Sequence, residues 1–207
     1  MILFDFLEKV KAMGIFSTGE LALLYPGLDG RRLYEWHSKG YIIKLRNGWY
    51  CLPEFLENPY STWMIANTVH KPSYISLESA LSYHGLIPEG VYMTTSVSTN
   101  RTMRLSMAGS TYTFSNMKKE LYFAYELIDT EIYHRKLRIA EPEKALIDFF
   151  YLHPEYNTES TLLQLRFNGT LIRDIILKEK LLNHLQVFKN RKLEERIRTM
   201  LKVYDHA

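Results

Sequence analysis

The sequence has very little cysteine and no long apolar run, and both absences restrict what the protein can be. Cys51 is the only cysteine in 207 residues, which excludes an intrachain disulfide and a cysteine metal cluster and fits a reducing compartment. No uncharged segment approaches the roughly 18 apolar residues that a transmembrane helix requires. The apolar N-terminus is interrupted by Asp5 and Glu8 and lacks the basic region and cleavage site of a signal peptide. We therefore expect a cytoplasmic protein with no membrane partner.

Familiar enzyme motifs are also missing. None of the seven histidines belongs to a His-Glu-x-x-His zinc pair, and the chain has no phosphate-binding loop, Gly-x-Gly-x-x-Gly or Gly-x-Ser-x-Gly motif. His84, which precedes Gly85, is better explained as a side chain that binds last-turn carbonyls of a helix than as a ligand or base. We expect no enzyme, no catalytic residue, no metal and no cofactor.

One enzymatic alternative stays open. Glu141, Glu143 and Lys144 follow a predicted strand, and carboxylates beside a lysine at a sheet edge can hold Mg²⁺ for phosphodiester cleavage, with Asp129 or Glu131 as a further ligand. We favour the simpler interpretation that the two glutamates match the positive end of a helix dipole.

The N-terminal quarter has the pattern of a winged helix-turn-helix. A first helix is predicted over residues 3–13, and a capping box of Ser17 and Glu20 begins a second helix, which Pro-Gly then stops. Asp29 is the predicted N-cap of a third helix, which Gly40 ends. Asn-Gly at 47–48 lies between two β-rich runs, which is a strong hairpin signal. A helix, a turn, a recognition helix and a hairpin wing are the parts that bind duplex DNA.

The basic residues concentrate in this same region. Between residues 30 and 50 there are five basic residues against one acidic residue, a local charge of +4 within a chain of net charge +3. Arg31 and Arg32 are candidates for base contacts, whereas Lys39, Lys44 and Arg46 suit phosphates. The full predicted DNA-binding set is Ser17, Thr18, Arg31, Arg32, Glu35, Lys39, Lys44, Arg46 and Asn47. The alternative is a solvated basic face on a winged domain that binds protein instead.

The remainder predicts a second domain. The proline-containing segment 53–59 suggests a boundary, which gives a winged-helix domain at 1–56 and an α/β domain at 57–207. Residues 91–139 are rich in β-branched and aromatic residues and predict four or five strands in a mostly antiparallel sheet, and helices follow to the C-terminus. The expected class is therefore α+β.

The C-terminal helices are also basic. They offer a candidate second nucleic-acid surface, against which stands the simpler interpretation of a solvated helix face with i, i+4 ion pairs. Its residues are Lys189, Arg191, Lys192, Arg196 and Arg198.

Three segments in order resemble a known family. They are Asn47-Gly-Trp-Tyr, the stretch Tyr74-Ile-Ser-Leu-Glu-Ser-Ala-Leu with His84-Gly-Leu, and Glu141-Pro-Glu-Lys-Ala-Leu-Ile-Asp. Together they resemble the AbiEi-type abortive-infection antitoxins, over nearly the whole chain. The resemblance implies an N-terminal winged helix that binds inverted repeats at its own promoter and represses it. It also implies a C-terminal domain that counteracts a nucleotidyltransferase-class toxin of the same operon without a stable complex.

These observations predict a DNA-binding autorepressor and antitoxin in phage defence. Its expected partners are double-stranded DNA, with inverted repeats, and the operon's toxin. The main alternative is a winged-helix regulator whose C-terminal domain senses a ligand or a protein, with no toxin. The metal-dependent nuclease described above is the third possibility.

Overall fold

The computed structural model describes residues 3–46, 48–130 and 135–205. In those residues the chain is an α+β structure with ten α-helices, a small antiparallel sheet and a larger mixed sheet. No helix in the described part of the chain is long and apolar enough to cross a membrane.

The N-terminal part alternates helices with very short strands. Its elements are α1 (Leu3–Lys11), β1 (Ile15–Ser17), α2 (Thr18–Leu24), α3 (Gly30–Ser38), β2 (Ile43–Lys44) and β3 (Trp49–Cys51). The strand order is β1-β3-β2 and both pairings are antiparallel. β1 was not predicted, because three residues are too few for an alternation signal.

Local capping explains where these helices begin. The Ser17 hydroxyl accepts a hydrogen bond from Glu20 N at 3.1 Å, and the Glu20 carboxylate accepts one from Ser17 N at 2.7 Å, so the predicted capping box is confirmed. Asp29 accepts a hydrogen bond from Arg31 N at 2.9 Å, as predicted for the N-cap of α3. Gly40 has φ +76° after α3, the left-handed conformation that a glycine adopts at low cost.

The larger part begins with a 3₁₀ helix at Pro53–Glu57. Its helices and strands are α4 (Ser61–Val69), β4 (Ser73–Ile75), α5 (Leu77–Tyr83), β5 (Met93–Ser98), β6 (Met103–Met107), β7 (Ser110–Asn116), β8 (Tyr125–Asp129), β9 (Lys136–Ala140), α6 (Pro142–Leu152), α7 (Glu159–Gln164), α8 (Gly169–Ile175), α9 (Lys178–Phe188) and α10 (Arg191–Asp205). A second 3₁₀ helix, Lys119–Leu121, lies between β7 and β8.

The six-stranded sheet corrects the expectation of mostly antiparallel pairing. Its order is β6-β7-β5-β4-β9-β8, and antiparallel and parallel pairs alternate across it. The central strand β4 was missed. It has only three residues, all buried, and it is a strand because it pairs with β5 on one side and β9 on the other.

Two further predictions in this part were wrong in detail. One helix expected over residues 171–188 is two, α8 and α9, because Ile176 and Leu177 are extended and Leu177 N donates a hydrogen bond to the buried Glu143 carboxylate at 2.9 Å. His84 lies at the end of α5, but its Nε2 is 2.8 Å from the carbonyl oxygen of Ala140 on β9 rather than bonded to its own helix.

The two parts are packed together along the N-terminal sheet. Ile15, Leu45 and Cys51 are buried in the same hydrophobic cluster as the core of the larger part. Arg135 donates hydrogen bonds to the carbonyl of Ile15 at 2.7 Å and to that of Met13 at 3.3 Å. The N-terminal elements are therefore held against the larger part by apolar packing and by polar contacts that include those of Arg135, and the boundary at residue 56 stays a prediction.

Candidate nucleic-acid interface

Helix α3 presents most of its surface to solvent. Leu33 and Trp36 are its only buried residues, and Tyr34 between them is 75% exposed. Arg31 and Arg32 lie in the first turn and are both exposed. The Arg31 side chain forms no hydrogen bond or ion pair with any residue that the structure describes. An exposed helix with arginines at its N-terminal end has the form that fits a major groove.

Glu35 of α3 and Lys39, which directly follows the helix, neutralise each other. Lys39 Nζ lies 2.6 Å from the Glu35 carboxylate, one helical turn away. This contact lowers the pKa of Glu35 and raises the pKa of Lys39. The surplus positive charge of the helix therefore lies with the two arginines of the first turn.

The start of α2 is joined to the β2–β3 hairpin. Thr18 N donates a hydrogen bond to the carbonyl of Gly48 at 2.8 Å, and Gly48 has φ +78°. Ser17 is half-buried and its hydroxyl is engaged in the capping box, whereas Thr18 is exposed. Asn47 lies outside the described residues. Of these predicted DNA contacts, the exposed Thr18 is therefore better placed than Ser17.

Two of the three residues that were predicted to bind phosphates lie on the β2–β3 hairpin, and their surroundings differ. Lys44 on β2 is exposed, and its side chain has no partner among the described residues. Arg46 is half-buried, and its Nη1 lies 3.1 Å from the Met103 sulfur on β6. Burial lowers the pKa of His70, and the nearby charge of Arg46 lowers it further. Arg46 therefore faces the larger part of the protein, and Lys44 remains available to a ligand.

His37 connects the end of α3 to the hairpin, a role that sequence reasoning missed. Its Nδ1 lies 3.2 Å from the carbonyl oxygen of Ile42 and 3.4 Å from the backbone nitrogen of Lys44. Lys44 is thus held beside the C-terminal end of α3, while the arginines occupy the other end. No sequence signal distinguishes His37 from the other histidines.

Three of the five residues of the predicted second basic surface have partners within the protein. Arg191 pairs with Glu195 at 2.9 Å and Arg198 pairs with Glu194 at 2.7 Å, as the solvated-helix interpretation predicts. Arg196 donates to the carbonyl of Phe150 at 3.0 Å, and burial lowers the pKa of its guanidinium. The remaining pair, Lys189 and Lys192, line a cleft of about 660 Å³ together with Lys118 and Glu120.

The carboxylates considered for a nuclease bind a lysine. Lys180 Nζ lies 3.1 Å from Glu141 and 3.3 Å from Glu143, and Glu143 is only 1% exposed. Burial opposes the charge of Lys180, but its bonds to the two glutamates outweigh this and raise its pKa. Glu131 lies outside the described residues, within which no group of three or more His, Cys, Asp or Glu side chains could hold a metal ion. The described contacts assign Glu141 and Glu143 to the packing of α6 against α9.

A fully buried ionic cluster joins helix α6 to strand β4 of the large sheet, and sequence reasoning missed it. Lys144 contacts the carboxylate of Asp148, and its Nζ donates to the hydroxyl oxygen of Tyr74 at 2.8 Å. Asp148 also accepts hydrogen bonds from Tyr74 at 2.8 Å and from Ser76 at 2.9 Å. Ser76 is the N-cap of α5 by position, as predicted, but its hydroxyl is used here and does not cap the helix. The side chains of Lys144 and Asp148 are both 0% exposed.

Comparison of the sequence with models of known protein families gives no match, and comparison with curated protein sequences gives none either.

Proposed function

We propose that residues 3–52 form a winged helix that binds double-stranded DNA and that the protein represses its own promoter. One observation carries the proposal: the order α1-β1-α2-α3-β2-β3, with a β1-β3-β2 sheet, leaves α3 exposed beside a hairpin. In a winged helix-turn-helix the element in the position of α3 enters the major groove. The two arginines in its first turn and Lys44 on the hairpin supply the positive charge that phosphates and guanine edges attract.

The interface divides into groups with different expected roles. Arg31 and Arg32 are proposed to contact bases, which determines site preference, whereas Lys44 is proposed to contact a phosphate. Arg46 is half-buried and contacts Met103, so we assign it a smaller share of DNA binding than its position in the sequence suggested. Glu35 and Lys39 form an ion pair and contribute little net charge to the surface.

Salt dependence of binding tests the phosphate contact. Fluorescence anisotropy with a duplex from upstream of the protein's own gene should give an affinity that falls as salt rises. Lys44→Ala should reduce the slope of log K against log salt by about 1. Arg46→Ala should change the slope less, and Lys202→Gln, an exposed lysine on α10, is the control for a lost positive charge. An unchanged slope for Lys44→Ala contradicts the proposed placement of the hairpin on DNA.

We further propose, on the resemblance to AbiEi-type antitoxins, that the larger part counteracts a toxin encoded in the same operon. We assign this role to no individual residue of the larger part. Expression of each neighbouring gene with and without this one tests the proposal, because growth arrest relieved by co-expression is the expected result. Absence of toxicity from both neighbours contradicts it and leaves the DNA-binding proposal in place.

A further inference from the structure

A small cleft opens where the N-terminal part meets the large sheet. Its volume is about 220 Å³, and it is separate from α3 and from the C-terminal basic helices. Helix α4 forms one wall and strand β9 the other. Its lining residues are Met64, Asn67, Thr68, Lys71, Arg135, Lys136 and Arg138.

All the charged residues that line this cleft are positive. Four of its seven lining residues are cations and none is a carboxylate. The side chains of Lys136 and Arg138 form no ion pair with any residue that the structure describes. Arg135 shares its charge with Glu20 at 3.3 Å, and Lys71 Nζ lies 5.9 Å from the centre of the Trp49 ring. A cleft lined by four cations, of which Lys136 and Arg138 have no ion pair among the described residues, favours an anionic ligand.

A buried amide donor points to the same chemistry. Asn67 is only 4% exposed, and its Oδ1 accepts a hydrogen bond from Arg138 N at 2.6 Å. Because a backbone N–H needs an acceptor, this contact fixes which end of the amide is oxygen. The Nδ2 group at the other end is buried and has no acceptor among the described residues. A buried donor without an acceptor is costly, so an oxyanion in the cleft would satisfy it.

We infer that this cleft binds a phosphate group, with Asn67 Nδ2 and the side chains of Lys136 and Arg138 as its donors. The cleft has room for a tetrahedral oxyanion. Arg135 lines the cleft and also holds the carbonyls of Met13 and Ile15, so the ligand binds beside the contact that fixes the N-terminal part. The phosphate comes either from a small phosphorylated molecule or from bound DNA, and only the second source rests on the proposed function.

Nuclear magnetic resonance of the full chain tests the inference. Inorganic phosphate, titrated against chloride at constant ionic strength, should shift the side-chain NH₂ signals of Asn67, which are identified by their disappearance in Asn67→Asp. That variant keeps the acceptor for Arg138 N but places a negative oxygen where the donor was. Phosphate affinity, measured by calorimetry, should fall about tenfold or more in Asn67→Asp and in Lys136→Gln, as the loss of a charge-assisted hydrogen bond predicts. Lys202→Gln should bind phosphate like the wild type.

The outcomes separate the two sources and the two proposals. Shifts of the same Asn67 signals by a promoter duplex, with weaker duplex binding in Lys136→Gln, identify a DNA phosphate. Shifts by phosphate alone identify a small phosphorylated ligand, and they support the cleft even if the chain binds no DNA. Unchanged Asn67 signals with both probes, or wild-type phosphate affinity in folded Asn67→Asp and Lys136→Gln, overturn the inference. Circular dichroism and the urea midpoint establish that each variant is folded.

Discussion

The buried cluster around Lys144 gives the sharpest prediction for stability. Asp148→Asn is nearly isosteric, but it leaves the Lys144 ammonium fully buried without a counter-charge. Breaking a buried ion pair by removing one partner costs about 3–5 kcal/mol. The aromatic rings of Tyr74, Phe123 and Phe188 lie 5.2–5.3 Å from Nζ and offset only part of this cost. Burial already lowers the pKa of Lys144, opposed by the charge of Asp148, so removing that charge should favour the neutral amine.

Urea denaturation followed by circular dichroism measures the effect. With an m-value of about 2–3 kcal/mol/M, a loss of about 3–5 kcal/mol moves the midpoint down by roughly 1–2.5 M. Lys144→Met should cost a similar amount, because it leaves a buried carboxylate with only two hydroxyl donors. The double variant removes both charges and should be more stable than either single variant.

The double-mutant cycle can refute this reasoning. If the two single costs add in the double variant, the groups are not coupled and the contact contributes no pairwise energy. If Asp148→Asn costs less than about 1 kcal/mol, which is the worth of an ordinary hydrogen bond, the buried charge is not a determinant of stability.

Three further predictions concern the N-terminal part and its contact with the larger part. Arg135→Gln is too short to keep the bonds to the carbonyls beside β1, so hydrogen exchange should accelerate in residues 13–20 and stay unchanged in α10; equal rates in both would contradict the role of Arg135. Burial raises the pKa of Glu20, but bonds from Ser17 and the charge of Arg135 outweigh this and lower it. The stability that ionised Glu20 contributes is therefore present above its ordinary pKa and lost as pH falls through the lowered pKa, and Glu20→Gln should flatten this acid-side loss in the urea midpoint. Gly48→Ala should lower the free energy of unfolding by more than the roughly 1–2 kcal/mol that a left-handed alanine costs, because its Cβ would lie 2.7 Å from Thr18 Oγ1. Gly109→Ala is the matched control, because Gly109 has a similar φ but open space around it.

Local sequence signals were sufficient to predict the helices whose ends are determined by residues close to them in sequence. The capping box at Ser17 and the cap at Asp29 predicted the starts of α2 and α3, and Pro142 predicted the start of α6. Each of these depends on residues within four positions of one another. The helices around them could therefore be located without knowledge of the tertiary structure.

Features that depend on distant residues were not predicted. The strands β1 and β4 have three residues each and exist through their pairing partners. The separation of α8 from α9 involves the carboxylate of Glu143, more than thirty positions away. In the candidate site, the contact of Arg46 with Met103 spans 57 positions. The cationic cleft joins Asn67 on α4 to Arg138 on β9, and neither residue belongs to a motif.

Site preference tests the central claim most directly, because the proposed base contacts of α3 predict it. The measured quantity is the ratio of affinities for the upstream duplex and for a scrambled duplex of equal composition, at one salt concentration. Arg31→Ala and Arg32→Ala should each lose about 1–3 kcal/mol on the upstream duplex with a smaller loss on the scrambled one, so that the ratio falls. A wild-type ratio in both variants would contradict the assignment of α3 as the element that reads DNA.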